Sequence, residues 1–214
     1  MLSLPQRLLL LVPSSPLNWK VRLLRLGGAF MFVAAGIALM LRAKLGVAPT
    51  DTLNKGFSDK TNLNFGLAFI AVSAVFYLIG WALGSPPGPG SVVGSLVIGN
   101  AISLMMRFVD EPSSIVIRSL FYTVGIVFVA AGICLAISTN LGPGPSEVVM
   151  LGLHRHGVPL VASRWIVDGV QMGLGFLLGG PLGIGTVIFL VAMAPMIKVG
   201  LRWLRYSPPV GVDV

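Results

Sequence analysis

The sequence contains little charge. Only 10% of its 214 residues are Asp, Glu, Lys or Arg, whereas a soluble globular domain carries roughly 25%. Hydrophobic residues make up 55% of the chain, and its mean hydropathy is +0.92. The apolar residues come in blocks of about 20, the length of a helix that crosses a bilayer. These features exclude a soluble domain and indicate a polytopic membrane protein.

Cysteine and histidine are scarce as well. The single cysteine, Cys134, lies inside an apolar run, which excludes an internal disulfide and a cysteine metal cluster. His154 and His156 are two positions apart and do not share a helix face, and no acidic cluster near them completes a metal site. No nucleotide-binding loop, Ser–His–Asp set or zinc-protease motif is present. We expect no metal, no cofactor and no enzymatic activity, with a membrane-embedded enzyme left open.

Acidic residues are also few, seven against 15 lysines and arginines, and the formal net charge is +8. In a soluble protein this excess would suggest nucleic acid as a partner. Here the basic residues flank the apolar segments, where they meet lipid headgroups and fix the orientation of the helices. We therefore expect the lipid bilayer as a partner and no nucleic acid.

Six apolar segments are predicted to be transmembrane helices. They cover residues 23–41, 65–84, 91–108, 115–137, 160–180 and 183–200. Six crossings place both termini on one side, where nine of the 15 basic residues then lie, against six on the other side. This bias favours a bacterial inner-membrane protein with cytoplasmic termini.

The chain repeats itself at an offset of 96 residues. "FVAAGI" occurs at residues 32–37 and 128–133, and the same offset aligns "LGVAPTD" (45–51) with "LGPGPSE" (141–147). After a slip of one residue, "PPGPGS" (86–91) aligns with "PLGIGT" (181–186). Each copy has three spans, an odd number, so the second copy enters the membrane from the opposite side, as in many secondary transporters.

We predict an all-α integral membrane fold built from two inverted three-helix repeats. The predicted parts are a cytoplasmic or interfacial N-terminal segment (1–22), the first repeat (23–109), a linker (110–114), the second repeat (115–201) and a C-terminal tail (202–214).

Each repeat carries a polar break after its first span, and we predict a short re-entrant or interfacial helix in each break. Proline suits the first position of a helix, and glycine suits the turn before it. The turn residues are Gly46 and Pro49 in the first copy, and Gly142 and Pro145 in the second. Asp51 and Glu147 then lie in the first helical turn, beside the positive end of the helix dipole.

Asp51 and Glu147 are the leading candidates for a central polar site. They could bind a proton, a cation or a cationic solute, with Thr50, Ser146 and Asn54 as further ligands. The free N–H groups of the same helix ends could instead hold an anionic group. The alternative is simple N-terminal capping, in which each carboxylate accepts hydrogen bonds from its own helix.

Asp168 lies within the fifth apolar segment, where an unpaired carboxylate is costly. Arg164 precedes it by one helical turn, and Gln171 follows three residues later on the same face. If this face points into the bundle, it forms one polar wall of a pathway. The alternative is a structural ion pair near the membrane interface.

Glycines at four-residue spacing permit close packing of membrane helices. The pairs are Gly90 and Gly94, Gly169 and Gly173, and Gly175 and Gly179. Two roles are open for these pairs: they pack helices of the same chain together, or they form a homodimer interface.

Three motifs, "GIALMLRAKLGVAPTD", "GICLAISTNLGPGPSE" and "LGGPLGIGTVIF", resemble the YczE-like family of predicted bacterial inner-membrane proteins, which is distantly similar to the YitT-like proteins. The resemblance implies the membrane fold and location, and brings no substrate or catalytic residue. With the duplicated acidic breaks, it leads us to expect a small secondary transporter or lipid-linked solute translocase, coupled to protons or ions. The alternative is a non-transporting accessory or scaffold protein that regulates a partner enzyme.

Overall fold

The computed structural model describes residues 18–139, 141–142 and 144–204, and all regular secondary structure in this part is helical. The helices are α1 (Trp19–Ala43), α2 (Pro49–Thr61), α3 (Phe65–Ala82), α4 (Pro89–Met105), α5 (Ile115–Thr139), α6 (Pro145–Arg155), α7 (Leu160–Leu177) and α8 (Ile184–Trp203). Each of the six predicted apolar segments is a helix, and α2 and α6 are the two predicted short helices. Residues 1–17 of the predicted N-terminal segment and the tail from residue 205 lie outside the described part.

Four of the helices, α1, α3, α5 and α8, are long and apolar enough to cross a membrane. The apolar helix α4 is shorter, with 17 residues, and α7 contains an arginine, an aspartate and a glutamine. Large apolar side chains on the outside of the bundle are widely exposed, among them Leu78 (65%), Val116 (72%) and Val191 (71%). A surface of this kind is stable when lipid surrounds it.

Helices α1 and α5, the first helices of the two copies, cross in close contact and run antiparallel. A Cβ atom on Gly36 would lie 2.6 Å from the carbonyl oxygen of Gly125, and one on Gly132 would lie 2.8 Å from that of Ala29. Small residues permit this approach of two membrane helices. The glycine of each "FVAAGI" motif is thus the residue at which the opposite copy packs.

The other helix contacts come in pairs related by the repeat. Helix α2 packs against α7, and α6 packs against α3; likewise α1 contacts α4, and α5 contacts α8. Helix α3 also packs against α4, but no comparable interface joins α7 to α8 in the described residues. The two copies therefore share one packing scheme and differ in this single contact.

The two short helices begin inside the bundle and end at its rim. The Thr50 hydroxyl donates a hydrogen bond to Gln171 Oε1, halfway along α7, at 2.6 Å. Two turns further along α2, a Cβ atom on Gly56 would touch Leu178, just beyond the end of α7. Correspondingly, Arg155 at the end of α6 donates to the carbonyl of Gly84, which follows α3. With 13 residues, α2 is about 20 Å long and does not span a bilayer of roughly 30 Å.

The turn before each short helix pairs with the last helix of the other copy. The carbonyl of Leu45 accepts a hydrogen bond from the Gly185 N–H at 2.8 Å, and that of Leu141 accepts one from the Gly90 N–H at 3.1 Å. These two bonds are equivalent under the repeat, and each joins one sequence motif to another. They hold the start of α2 and of α6 in the middle of the bundle.

Gly46 and Gly142 adopt positive φ angles of 114° and 139°. This conformation is open to glycine and strained for other residues. There is also no room for a side chain, because a Cβ atom would lie 2.7 Å from the Thr186 nitrogen at Gly46 and 2.5 Å from Ser91 Oγ at Gly142. The predicted turn glycines are required at both positions.

The spaced glycines divide into two groups. Gly90, Gly94 and Gly175 pack against other helices or loops of the same chain, whereas a Cβ atom on Gly169 or Gly173 would meet nothing within 4 Å. Gly179 lies beyond the end of α7, also in open space, so it does not form a helix face with Gly175. The glycines of the first group therefore serve contacts within the chain. The face of α7 that carries Gly169 and Gly173 is open, and a homodimer interface there stays a prediction.

Candidate functional site

The N-terminal turns of α2 and α6 meet at a closed ring of three side chains. Thr50 Oγ1 donates to Gln171 Oε1 at 2.6 Å, and Gln171 Nε2 donates to Ser146 Oγ at 2.8 Å. The Thr50 and Ser146 hydroxyl oxygens are 3.1 Å apart, which leaves Ser146 to donate the third bond. We call this arrangement the hydroxyl ring. Because Thr50 and Ser146 are equivalent in the repeat, it lies where the two copies meet.

An ion cluster lies beside the ring on α6 and α7. Arg164 donates from Nη1 to Glu147 Oε1 and from Nε to Asp168 Oδ2, both at 2.8 Å. One cation between two carboxylates leaves a formal charge of −1. The side chains of Arg164 and Glu147 are 38% and 39% exposed, and Asp168 Oδ1 is buried without a hydrogen-bond partner in the described chain. The cluster is therefore anchored inside the protein and reachable from one side.

Asp51 has a different environment from Glu147, its equivalent in the second copy. It is only 4% exposed, and no cation of the described residues lies within ion-pair distance of it. Burial raises the pKa of the Asp51 carboxyl to about 7, and the nearby Asn54 amide offsets only part of this effect. Asp51 is thus a carboxyl whose burial favours the neutral form over the charged one.

Asn54 lies one turn after Asp51 and is 1% exposed. Neither its amide nitrogen nor its amide oxygen has a hydrogen-bond partner among the described residues. A buried amide that lacks both partners is costly. Asn54 and Asp51, which we call the buried pair, are thus two buried polar side chains one turn apart on α2.

The predicted site residues fall into three groups. They are the hydroxyl ring (Thr50, Ser146, Gln171), the ion cluster (Glu147, Arg164, Asp168) and the buried pair (Asp51, Asn54). No hydrogen bond joins Asp51 to Glu147 in the described chain. The residues just before them, Thr50 and Ser146, make the contact between the two copies instead. Neither carboxylate accepts a hydrogen bond from the N-terminal turn of its own helix in the described chain, and both lie in the first helical turn.

Tyr77 on α3 is a polar residue that the sequence did not single out. Its hydroxyl donates to the Ser91 carbonyl at 2.7 Å and lies 2.6 Å from Ser95 Oγ, which joins α3 to α4. A tyrosine inside an apolar span usually has such a partner, and this was the available signal. At the offset of 96 its counterpart in α7 is Gly173, so this link between helices is absent from the second copy.

The histidines contact the backbone at the end of α6. His154 Nδ1 is 2.9 Å from the Val158 carbonyl oxygen, and His156 Nδ1 is 2.9 Å from that of Gly152. Within the described ranges, no three His, Cys, Asp or Glu side chains lie close enough together to hold a metal ion.

The chain belongs to the DUF6198 family, a family of unknown function, whose model matches residues 20–202. It is 26% identical over 181 residues to an uncharacterised protein of Haemophilus influenzae, covering 84% of this chain and 83% of that protein. It is 24% identical over 192 residues to the uncharacterised membrane protein YczE of Bacillus subtilis, covering 86% and 84%. The Bacillus subtilis protein YyaS is 22% identical over 169 residues, covering 76% and 83%.

No solved structure matches the chain. The similarity to YczE confirms the family resemblance seen in the three motifs. Together with the four long apolar helices, it identifies the chain as an integral membrane protein.

Proposed function

We propose that this DUF6198 family member is a small proton-coupled secondary transporter of the bacterial inner membrane, and that it carries a polar solute with a cationic group. The observation that carries the proposal is the meeting of two repeat-equivalent helix ends at the hydroxyl ring, with one acidic residue buried beside it and the other accessible. Binding sites between the two halves, formed by helix ends, are typical of secondary transporters.

The proposal includes six crossings arranged as two inverted repeats with cytoplasmic termini. The antiparallel contact of α1 with α5 supports inversion, because equivalent helices of inverted copies must run in opposite directions. In this arrangement α4 and α7 complete the six crossings, and the polar face of α7 meets Ser146 and Glu147 rather than lipid. Helices α2 and α6 then enter the membrane from opposite faces and return.

The difference between the copies supports two alternating states. Helices α3 and α4 are packed together and α7 and α8 are not in the described residues, while Asp51 is buried and Glu147 is partly exposed. In an inverted repeat, exchanging the packing of the two copies gives a state of similar energy that opens to the other side. We propose that in this second state α3 separates from α4, α7 packs against α8, and Asp51 becomes accessible.

Each acidic group has its own role in this scheme. Asp51 binds the coupling proton, since it is buried without a cation and is stable inside the protein only when neutral. Glu147 and Asp168 bind the cationic group of the solute, which takes the place of Arg164 between them. The hydroxyl ring supplies hydrogen bonds to the rest of the solute, and the space between α7 and α8 would admit the chain of a lipid-linked solute. No catalytic step is part of the proposal.

The test is uptake into proteoliposomes under an imposed pH gradient, with radiolabelled polyamines and amino acids as probes. We expect accumulation of at least one probe by the wild type, and loss of uptake in Glu147→Gln. Asp51→Asn should still exchange labelled solute across the membrane when both sides hold the same concentration. It should fail to accumulate the solute under a pH gradient, because its side chain cannot release a proton. Asp59→Asn, which changes an exposed ion pair with Lys55, is the matched control and should transport normally.

Gel filtration of each variant verifies that it is folded. If no probe moves, or if folded Asp51→Asn and Glu147→Gln both transport like the wild type, the transport proposal is wrong. A non-transporting accessory protein, which uses the ion cluster only to hold α6 to α7, would then be the better explanation.

A further inference from the structure

A second polar region lies at the rim of the bundle, away from the hydroxyl ring. It is a cavity of about 220 Å³ between the second half of α2, the start of α3 and the end of α4. Its lining includes Lys55, Asn64, Phe65, Ser103, Met106 and Arg107. Two of these six residues are basic and none is acidic, and none of them belongs to the hydroxyl ring, the ion cluster or the buried pair.

Arg107 is exposed and forms no ion pair with any described residue. Lys55 pairs with Asp59, which lies outside the cavity lining. Helix α3 begins at this cavity, and the N-terminal end of a helix adds positive potential. The Asn64 side chain accepts from the Leu67 N–H and from the Ser103 hydroxyl through its oxygen, which leaves its NH₂ group as a donor. The cavity therefore offers cations and donors to an anion.

The surroundings indicate what carries the anion. Four exposed apolar side chains, each within two residues of a lining residue along the chain, form what we call the apolar border: Leu63, Leu67, Leu104 and Phe108, exposed by 38%, 48%, 54% and 79%. In an integral membrane protein such side chains face the acyl chains of lipid. The cavity volume is below the 300–1,000 Å³ or so of pockets that enclose whole drug-sized ligands, so it suits one headgroup.

We propose that this cavity binds the phosphate group of an anionic phospholipid, held by Arg107, Lys55 and the Asn64 amide, with the acyl chains lying over the apolar border. The planar guanidinium of Arg107 can donate two parallel hydrogen bonds to one phosphate. The side chains of this site are distinct from those of the transport proposal, so their variants test lipid binding separately from transport.

The second copy of the repeat provides a matched control. The positions equivalent to Lys55 and Asn64 are Leu151 and Leu160, whereas Arg107 aligns with Arg202 after the one-residue slip. Arg202 therefore repeats the positive charge at the end of the last helix of its copy. The equivalents of the Lys55 ammonium and the Asn64 amide are missing there. A lipid attracted only by surface charge would depend on both arginines equally.

The experiment measures lipid binding to the purified full chain in neutral detergent. Phosphatidylglycerol is titrated in while the melting temperature is followed, with phosphatidylcholine and inorganic phosphate as separate arms. We expect saturable stabilisation by phosphatidylglycerol, and an affinity at least about tenfold weaker in Arg107→Gln and in Lys55→Gln, since each variant loses a charged donor to the phosphate. Arg202→Gln should bind like the wild type, and all variants should melt alike in phosphatidylcholine.

Three results would overturn the proposal. The first is equal stabilisation by phosphatidylcholine, which would remove the role of the anionic headgroup. The second is an equal loss of affinity in Arg107→Gln and Arg202→Gln, which would mean attraction by surface charge alone. The third is full stabilisation by inorganic phosphate, which would make the cavity a site for the free anion rather than for a lipid.

Discussion

Asp51 and Glu147 occupy the same place in the two copies but have opposite environments. Glu147 faces Arg164 and Asp168 on α7, whereas the residues aligned with that pair in α3 are Ala68 and Val72. The first copy therefore lacks the cation that would keep its acidic residue charged. This one difference explains why one carboxyl is part of an ion cluster and the other is buried without a cation.

The stability of the protein should depend on pH through Asp51. Its folded-state pKa of about 7 lies above the ordinary value of 3.8, so between these two pH values the folded protein binds more protons than the unfolded one. Its stability therefore falls as pH rises through this window, by up to about 4 kcal/mol at roughly 1.4 kcal/mol per pKa unit. We expect the wild type to melt at a lower temperature at pH 8 than at pH 5.

Asp51→Asn should remove most of this difference between the two pH values, because the amide does not ionise. Asp59→Asn, at an exposed position, should retain it. A wild-type melting temperature that is the same at pH 5 and pH 8 would mean that Asp51 does not titrate in this range.

Removal of Arg164 should destabilise the protein, because it leaves two carboxylates unpaired. We expect Arg164→Gln to lower the free energy of unfolding by about 1–3 kcal/mol, less than for a fully buried pair since the side chains are partly exposed. Adding Asp168→Asn should restore part of the loss, as it removes one unpaired charge. Chemical denaturation of the single and double variants measures both effects, and additive losses would contradict the shared ion cluster.

At the scale of the elements, the short helices depend on their turn glycines. Gly46→Ala should lower the free energy of unfolding by on the order of 2–3 kcal/mol, because alanine is strained at this φ and its Cβ would meet the Thr186 nitrogen. Gly84 also has a positive φ, of 77°, but open space around it. Gly84→Ala should therefore cost only about 1 kcal/mol.

Thermal melts of the two variants test this difference, which corresponds to several degrees in a chain of this size. Equal melting temperatures would contradict the packing of the turn against α8.

Much of the element order could be predicted from the sequence. The repeated proline and acidic residue located α2 and α6, and the spacing of Arg164 and Asp168 predicted their ion pair, because both are local patterns. The addition of Glu147 to that pair could not be predicted, since it depends on how α6 packs against α7. The meeting of Thr50 with Ser146 is also a tertiary contact, and the repeat only indicated that the two positions are equivalent.

At the scale of the whole molecule, the offset of 96 residues predicts two equivalent copies, and the paired helix contacts agree with it. The sequence offered less about where the copies differ. Tyr77 links α3 to α4, and glycine in the equivalent position of α7 leaves no such link. This asymmetry lies outside the repeated motifs, and in our proposal it sets which side of the protein is open.

The exchange between two states is tested most directly by distances between spin labels, which need no known solute. In a Cys134→Ala background, one label pair at Leu67 and Leu104 reports the separation of α3 and α4, and a second pair at Trp165 and Val199 reports that of α7 and α8. All four positions are exposed. The distances are measured in liposomes at pH 5 and pH 8 by double electron–electron resonance.

Ionised Asp51 favours the state in which it is accessible, so raising the pH should lengthen the α3–α4 distance and shorten the α7–α8 distance together. Asp51→Asn should hold both distances at their pH 5 values. If neither distance changes with pH in the wild type, or if both change in the same direction, the protein does not exchange between inverted states and is not the proton-coupled transporter proposed here.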